Sequence, residues 1–505
     1  MSETSEPSLL AKTADGAGWV VGFRLITRLL GIASTLTLVR LLGPGDFGLV
    51  ALASAFAQTV DAVTNLSVHE ALIRERAPSR AMYDTAFTMS LIRGLLTGGV
   101  VFATAWPAAA FFHEPRLAVV LLALGVSNLI GAVENVATAD FMRDFAFRRE
   151  FQLWTIPRVL QVCATIGFAL IWHSYWALVF GIVTGRCIRT ILSYAMYPYW
   201  PRITLAAWRR ITGFTTWSWA IYIVAILRDR LDSVLIGWLF SPAQVGIYAL
   251  GGEIASLPTS ELVDPLCRAC FPSFSQLRNN GFSVGQTYVR LISVAAMLVL
   301  PTGVGIAAVA HPLVNLAFGP RWLEAIPMIQ ILGVTATLGI IGSLSGTLFS
   351  AYGMLRVTFS ITSVMTALRV VLLLILLPGG TLVTAAAVVA IVASMEQCAF
   401  ITITLRRFDI RVRHLLRAIY RSVFATLAMA ASLMALGLGF VPVADRFAAH
   451  LALDAATGGV IYAVVLVTSW YASGRPDGPE RDLLNVLGRL GQRLLIFIGP
   501  FRPHH

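Results

Sequence analysis

The stretch that most limits what this chain can become starts at Trp217 and reads WSWAIYIVAILRDRLDSVLIGWLF. A bilayer crossing takes about 20 apolar residues, and this stretch is long enough. Yet Arg228, Asp229, Arg230 and Asp232 fall near its middle. A charge at that depth costs ~2.5–3.5 kcal/mol on insertion scales, and such residues persist where a helix faces a wet cavity or a partner. The helix is therefore expected to line a polar interior within a bundle of spanning helices.

The rest of the chain agrees. Hydrophobic residues make up 57% of it and charged residues 13%, against about 25% charged in ordinary soluble domains. With a span and a turn every ~30–35 residues, the length gives about 14 helices, and hydropathy places them at 16–41, 46–72, 82–106, 115–139, 151–172, 175–197, 212–239, 243–270, 286–311, 324–351, 354–377, 380–404, 416–440 and 452–472. Gly43-Pro44, Ser241-Pro242, Gly319-Pro320 and Pro378-Gly379 mark joints between them. The expected fold is thus an all-α integral membrane protein. The net charge is +12, and Lys12 is the single lysine. The arginines cluster between apolar spans instead of along one amphipathic surface, which points to the positive-inside rule and away from nucleic acid. One set of loops carries Arg74, Arg76 and Arg80, Arg143, Arg148 and Arg149, Arg202, Arg209 and Arg210, and Arg406 to Arg417; the alternating set holds little beyond Arg116, Arg321 and Arg446. Both termini are expected on the cytoplasmic side. Met1 to Gly18 lacks the layout of a cleavable signal. Cys267 and Cys270 form a C-x-x-C with no second pair or nearby histidine, so no metal site is expected, and no G-x-x-x-x-G-K-[ST] stretch calls for ATP. No cofactor is expected.

An internal repeat sets the organisation. LLGPGDFGLVAL at 41–52 aligns without a gap to LFSPAQVGIYAL at 239–250, with Leu41/Leu239, Pro44/Pro242, Gly48/Gly246, Ala51/Ala249 and Leu52/Leu250 identical. Pro115-Arg116 and Pro320-Arg321 give a weaker echo. Two pseudo-symmetric six-helix lobes follow, with two helices appended: a cytoplasmic segment 1–15, an N-lobe 16–197, a linker 198–211, a C-lobe 212–404, helices 13 and 14 in 405–472, and a basic tail 473–505. The tail is amphipathic from 480 to 498 and suits an anionic membrane surface or a protein partner. Transport sites tend to lie where such repeats meet.

Four stretches carry a resemblance to a known family: R-L-L-G-P-G-D-F-G-L-V-A-L at 40–52, D-F-M-R-D-F-A-F-R-R-E-F at 140–151, the segment from Leu231 to Leu277 around L-D-S-V-L-I-G-W-L-F-S-P-A-Q-V-G-I-Y-A-L, and F-G-P-R-W-L-E-A-I-P-M-I-Q-I-L at 318–332. In order and spacing the chain resembles the Wzx-type flippases, the polysaccharide branch of the multidrug/oligosaccharidyl-lipid/polysaccharide exporter superfamily. The resemblance implies a V-shaped pair of helix bundles that open alternately to each side of a bacterial inner membrane. Its implied cargo is an undecaprenyl-diphosphate-linked oligosaccharide, and its implied neighbours are a polymerase and a chain-length regulator.

A diphosphate crossing ~30 Å of hydrocarbon needs countercharge. Guanidinium suits it, because the planar fork donates paired hydrogen bonds and stays ionised. Arg24 and Arg28 lie one turn apart on helix 1, and Arg228 and Arg230 occupy the equivalent part of helix 7. These four are the expected diphosphate ligands, with Arg158 and Arg290 widening the cationic path. Asp61, Asn65, Asn128, Glu134, Asp229, Asp232 and Glu253 would then bind sugar hydroxyls or a coupling ion, or else pair with the arginines. Three other readings are weighed. A drug/cation antiporter would want an aromatic, anionic pocket. A membrane enzyme would want a large outer loop, whereas the longest outer connections hold His113, His311 and His450 only singly. A scaffold of polysaccharide assembly would use the basic tail.

Overall fold

The computed structural model describes residues 26–481, apart from 65–71, 74, 76–77, 145, 210–215, 268–269, 271–273, 275–283, 443–446 and 477. Every regular element among the described residues is helical. That is what hydrocarbon demands, because a spanning segment must satisfy its own backbone hydrogen bonds. The main helices of the first half are α1 (26–41), α2 (Pro44–Thr64), α3 (Arg80–Phe111), α4 (Arg116–Ala132), α5 (Phe147–Trp172), α6 (Trp176–Met196) and α7 (Thr216–Leu239). Those of the second half are α8 (Pro242–Ala255), α9 (Val284–Ala308), α10 (Ala325–Ala351), α11 (Leu355–Leu376), α12 (Leu382–Arg407), α13 (Val412–Ala435) and α14 (Phe447–Ala472). Each predicted span meets one of these helices. Among the described residues 10 are long and apolar enough to cross a membrane by length and composition, or 11 if a bent pair after Arg116 is one span.

At three places the departure from the sequence expectation has a local reason. The span predicted to stop at 106 continues through Pro107 to Phe111, since within a helix bundle neighbouring groups can re-satisfy what a proline frees. The span predicted over 115–139 ends at Ala132 and turns by 67° into a short helical segment, Val136–Arg143. Asn135 makes that corner. Its Oδ1 accepts from Ala137 N–H at 3.0 Å, and its Nδ2 donates to the carbonyls of Ser193 and Tyr197. The span predicted over 243–270 stops at Ala255 and resumes beyond Pro258 through a π-helical turn, Thr259–Val263. Proline cannot donate to the ladder, and the wider turn absorbs the mismatch.

The chain forms two compact units, Met1–Ala249 with Leu373–Pro378, and Leu250–Leu372 with Gly379–His505. In the first, α2 packs on α7, α3 and α4, α4 packs on α3 and α6, and α5 pairs with α6. Small residues permit the close crossings, as is usual where helices meet in lipid. Gly94 faces Ala132, and a side chain there would strike its Cβ. The tightest approach joins the matched glycines of the repeat. A Cβ on Gly48 would overlap the carbonyl of Pro242, and one on Gly246 would overlap the carbonyl of Pro44.

In the second unit α9 packs on α10 and α13, α10 on α12, and α13 on α14. Its core gathers Val263, Phe274, Tyr288, Ile292, Leu344 and Leu348. A hydroxyl thread crosses it, with Tyr288 Oη 2.7 Å from Ser345 Oγ and Thr404 Oγ1 donating to Ser345 Oγ at 3.1 Å. The F-G-P-R-W stretch is a fold element. Gly319 takes a φ of +88°, open to glycine and strained for other residues, and the turn it allows buries Trp322 completely.

Candidate functional site

The structure spreads the predicted site residues over both units. Arg24 and Asn65 lie outside the described residues. On α1, Arg28 is half-buried. On α7, Arg228 directs Nε to Asp229 Oδ1 at 3.1 Å, with both side chains substantially exposed. Arg230 is half-buried, and its Nε has no hydrogen-bond partner among the described residues. Asp232 is buried, and its Oδ2 accepts from Tyr248 Oη on α8 at 3.2 Å. Arg158 is exposed on α5, within 3.5 Å of Gln161 Oε1. Asn128 is half-buried on α4. Arg290 and Glu253 are exposed and belong to the second unit.

What the first unit does assemble is a chain of charges across α2, α3, the turn after α4, and α6. Arg93 Nη2 donates to both carboxylate oxygens of Asp61 at 2.7 Å. Arg189 Nε donates to Glu134 Oε1 at 2.9 Å, and the same guanidinium lies over the Trp154 ring, 3.6 Å from its centroid. Arg186 lies against Gly131, so close that a Cβ there would stand 3.1 Å from the guanidinium, and it is within electrostatic reach of Glu134, Arg189, Asp61 and Arg93. Among the described residues three guanidiniums thus face two carboxylates, leaving one positive charge in a half-buried, low-dielectric setting. The acids expected to hold sugar or a coupling ion, Asp61 and Glu134, are held by Arg93 and Arg189. Arg93, Arg186 and Arg189 are not among the site residues expected from sequence. The available signal was the G-R-C-I-R stretch, two arginines at i, i+3 inside an otherwise apolar span.

A second polar cluster explains the D-F-M-R-D-F stretch. Tyr83 Oη donates to Asp140 Oδ1 at 2.5 Å, Arg143 Nη1 lies 2.8 Å from the same oxygen, and Tyr197 Oη donates to Asp140 Oδ2 at 3.0 Å. Asp84, buried at the start of α3, accepts from the Tyr199 hydroxyl and from Arg202 N–H. Burial, then the Asp84 bond, pushes the Tyr199 phenol above its ordinary range, so it stays protonated and keeps donating. These bonds fasten the segment after α6 to α3. Asp84→Ala should leave that segment without its acceptor, at a cost of about 1–3 kcal/mol. Limited trypsinolysis at Arg202 should accelerate in this variant, and cleavage at the wild-type rate would refute the fastening role.

Many membrane-length helices joined by small-residue crossings make up the fold of the described residues. Solved structures share it. The lipid II flippase MurJ in an inward closed conformation superposes with a TM-score of 0.73 over 90% of this chain and 100% of that one, at 11% identity. An inward-facing MATE family multidrug transporter of the MOP superfamily gives 0.58 over 79% and 95%, at 17%. The particular family follows from sequence. Residues 37–327 match the polysaccharide biosynthesis protein family, and the chain belongs to it. Among curated relatives, the lipopolysaccharide biosynthesis protein WzxC of Escherichia coli (strain K12) is 22% identical over 70% of this chain and 72% of its own. The succinoglycan biosynthesis transport protein ExoT of Rhizobium meliloti (strain 1021) is 24% identical over 65% and 67%. The teichuronic acid biosynthesis protein TuaB of Bacillus subtilis (strain 168) is 20% identical over 83% and 86%. The Wzx-type resemblance read from the motifs therefore holds. The chain is a multi-pass membrane protein of polysaccharide biosynthesis, and the family and the fold neighbours are transporters, not enzymes.

Proposed function

We propose that this protein translocates undecaprenyl-diphosphate-linked oligosaccharide repeat units from the cytoplasmic to the outer leaflet of a bacterial inner membrane. It works by alternating access between two six-helix lobes, with both termini in the cytoplasm, and feeds exopolysaccharide, capsule or O-antigen synthesis alongside a polymerase and a chain-length regulator. The observation that carries the reading is the surplus positive charge of the Asp61–Arg93, Glu134–Arg189 and Arg186 group in a polysaccharide-biosynthesis chain. Arg28, Arg228 and Arg230 add guanidinium groups that suit a diphosphate. A drug/cation antiporter would need net negative charge at these positions, and the arginines oppose it.

The direction is energetically sensible. A diphosphate carries about two negative charges, and an inside-negative potential contributes ~2.3 kcal/mol per charge per 100 mV to outward movement. Arginines that moved with the cargo would cancel part of that gain. Arg28→Ala and Arg228→Ala, each shown to insert normally, should remove surface polymer and leave lipid-linked repeats facing the cytoplasm. Wild-type polymer levels from both would take these residues out of the mechanism.

A further inference from the structure

Trp154 is a large aromatic side chain on α5, 43% exposed, to which the transport reading gives no task. The guanidinium of Arg189, from α6, lies over its ring, 3.6 Å from the centroid. The same guanidinium donates through Nε to Glu134 Oε1 at 2.9 Å. It is held on two sides and covers one face of the indole. Glu134 is fixed in turn. Its N–H bonds to the Gly131 carbonyl, and the residues beside it are pinned to the end of α6, Val133 by the Tyr194 hydroxyl at 2.9 Å and Asn135 by the Ser193 and Tyr197 carbonyls. An aromatic ring thus stands beside a carboxylate, with little freedom left in either.

Depth and helical phase decide what the ring meets. α5 has 26 residues, about 39 Å at 1.5 Å each, against ~30 Å of hydrocarbon. With the excess shared between its ends, Trp154 lies roughly 6 Å inside the hydrocarbon boundary and Arg158 roughly 12 Å inside. Arg158 is exposed there, its Nη1 3.5 Å from Gln161 Oε1. A guanidinium exposed at that depth is stable where the helix faces water. Trp154, Arg158 and Gln161 at i, i+4 and i+7 share that side of α5, whereas the exposed Ile156 and Leu160 project from the opposite one. The ring therefore opens to the wetted face that carries the charge chain.

We infer that Trp154 is a sugar platform, on which a pyranose of the lipid-linked cargo stacks while Glu134 accepts one of its hydroxyls. The assignment rests on the transport reading above and adds where the sugar is held. A pyranose presents a patch of C–H groups that packs on an aromatic face while its hydroxyls stay at the edges. An organic cation on the same ring is opposed by Arg189 on the other face and by Arg158 beside it. Holding the indole in place beforehand lowers the ordering cost of binding.

The test is native mass spectrometry of the full-length protein, offered equal amounts of undecaprenyl diphosphate and the same lipid carrying one glucosyl residue. The wild type should retain the glucosyl lipid about 10-fold over the bare one. Trp154→Leu keeps an apolar side chain without a flat ring and should lose the preference, whereas Trp154→Phe should keep most of it. A wild type that binds both lipids equally, or a Leu variant that still prefers the glucosyl lipid, would overturn the platform and leave the diphosphate reading standing. Equal loss in the Leu and Phe variants would also overturn it, by assigning the effect to the indole's packing under Arg189. Retention of neither lipid by the wild type would remove the transport reading and the platform together.

Discussion

Gly48→Ala should destabilise the protein by about 3 kcal/mol or more, at the upper end of what overpacking costs, and surface polymer should fall with it. The added methyl would overlap the Pro242 carbonyl and stand 2.7 Å from Gly246 N. What it meets is backbone, with no flexible side-chain end that could swing aside. Gly246→Ala should behave alike, since its Cβ would overlap the Pro44 carbonyl and approach Gly48 N to 2.9 Å. The contact is reciprocal. Gly99→Ala in α3 is the control, because nothing lies within 4 Å of its added Cβ. It should be neutral or gain the ~0.5–1 kcal/mol that alanine holds over glycine inside a helix. Thermal unfolding of the three variants in one detergent decides the matter. If Gly48→Ala and Gly246→Ala melt with Gly99→Ala, α2 and α8 do not cross at these glycines.

The second large effect falls on the Arg421–Glu480 pair, whose side chains are each 5% exposed. Glu480→Ala strands a guanidinium in a buried site, and breaking such a pair by removing one partner costs about 3–5 kcal/mol. Removing both partners, Arg421→Leu with Glu480→Leu, should restore most of that stability, because the desolvation of both ions disappears together. The difference between single and double variants is the measurement, again by thermal unfolding. A Glu480→Ala protein as stable as wild type would show that water reaches Arg421 freely.

Much of the fold was legible beforehand. Apolar length located the helices, and the Pro and Gly joints located many of their ends. The misses were corners made by side chains far away in sequence. The span over 115–139 breaks because Asn135 finds the Ser193 and Tyr197 carbonyls, and nothing near Asn135 in the chain announces them. For the site, the kinds of residue were readable and the partnerships were not. Arg228 directs its Nε to the neighbouring Asp229, whereas Asp232, one turn on, takes the Tyr248 hydroxyl. Arg186 and Arg189 escaped notice inside an apolar stretch until packing set them beside Glu134 and Trp154.

The sequence by itself determined that this chain crosses a membrane many times as helices and that arginine supplies its internal charge. Both are local properties, fixed by apolar length and by the need of a backbone in hydrocarbon to bond with itself. Tertiary structure alone decided which guanidinium answers which carboxylate. That choice depends on how each helix is rotated about its axis and on which neighbour it leans, and close glycine crossings set both. Hence the charge left over at Arg186 could be found only after the helices were in place.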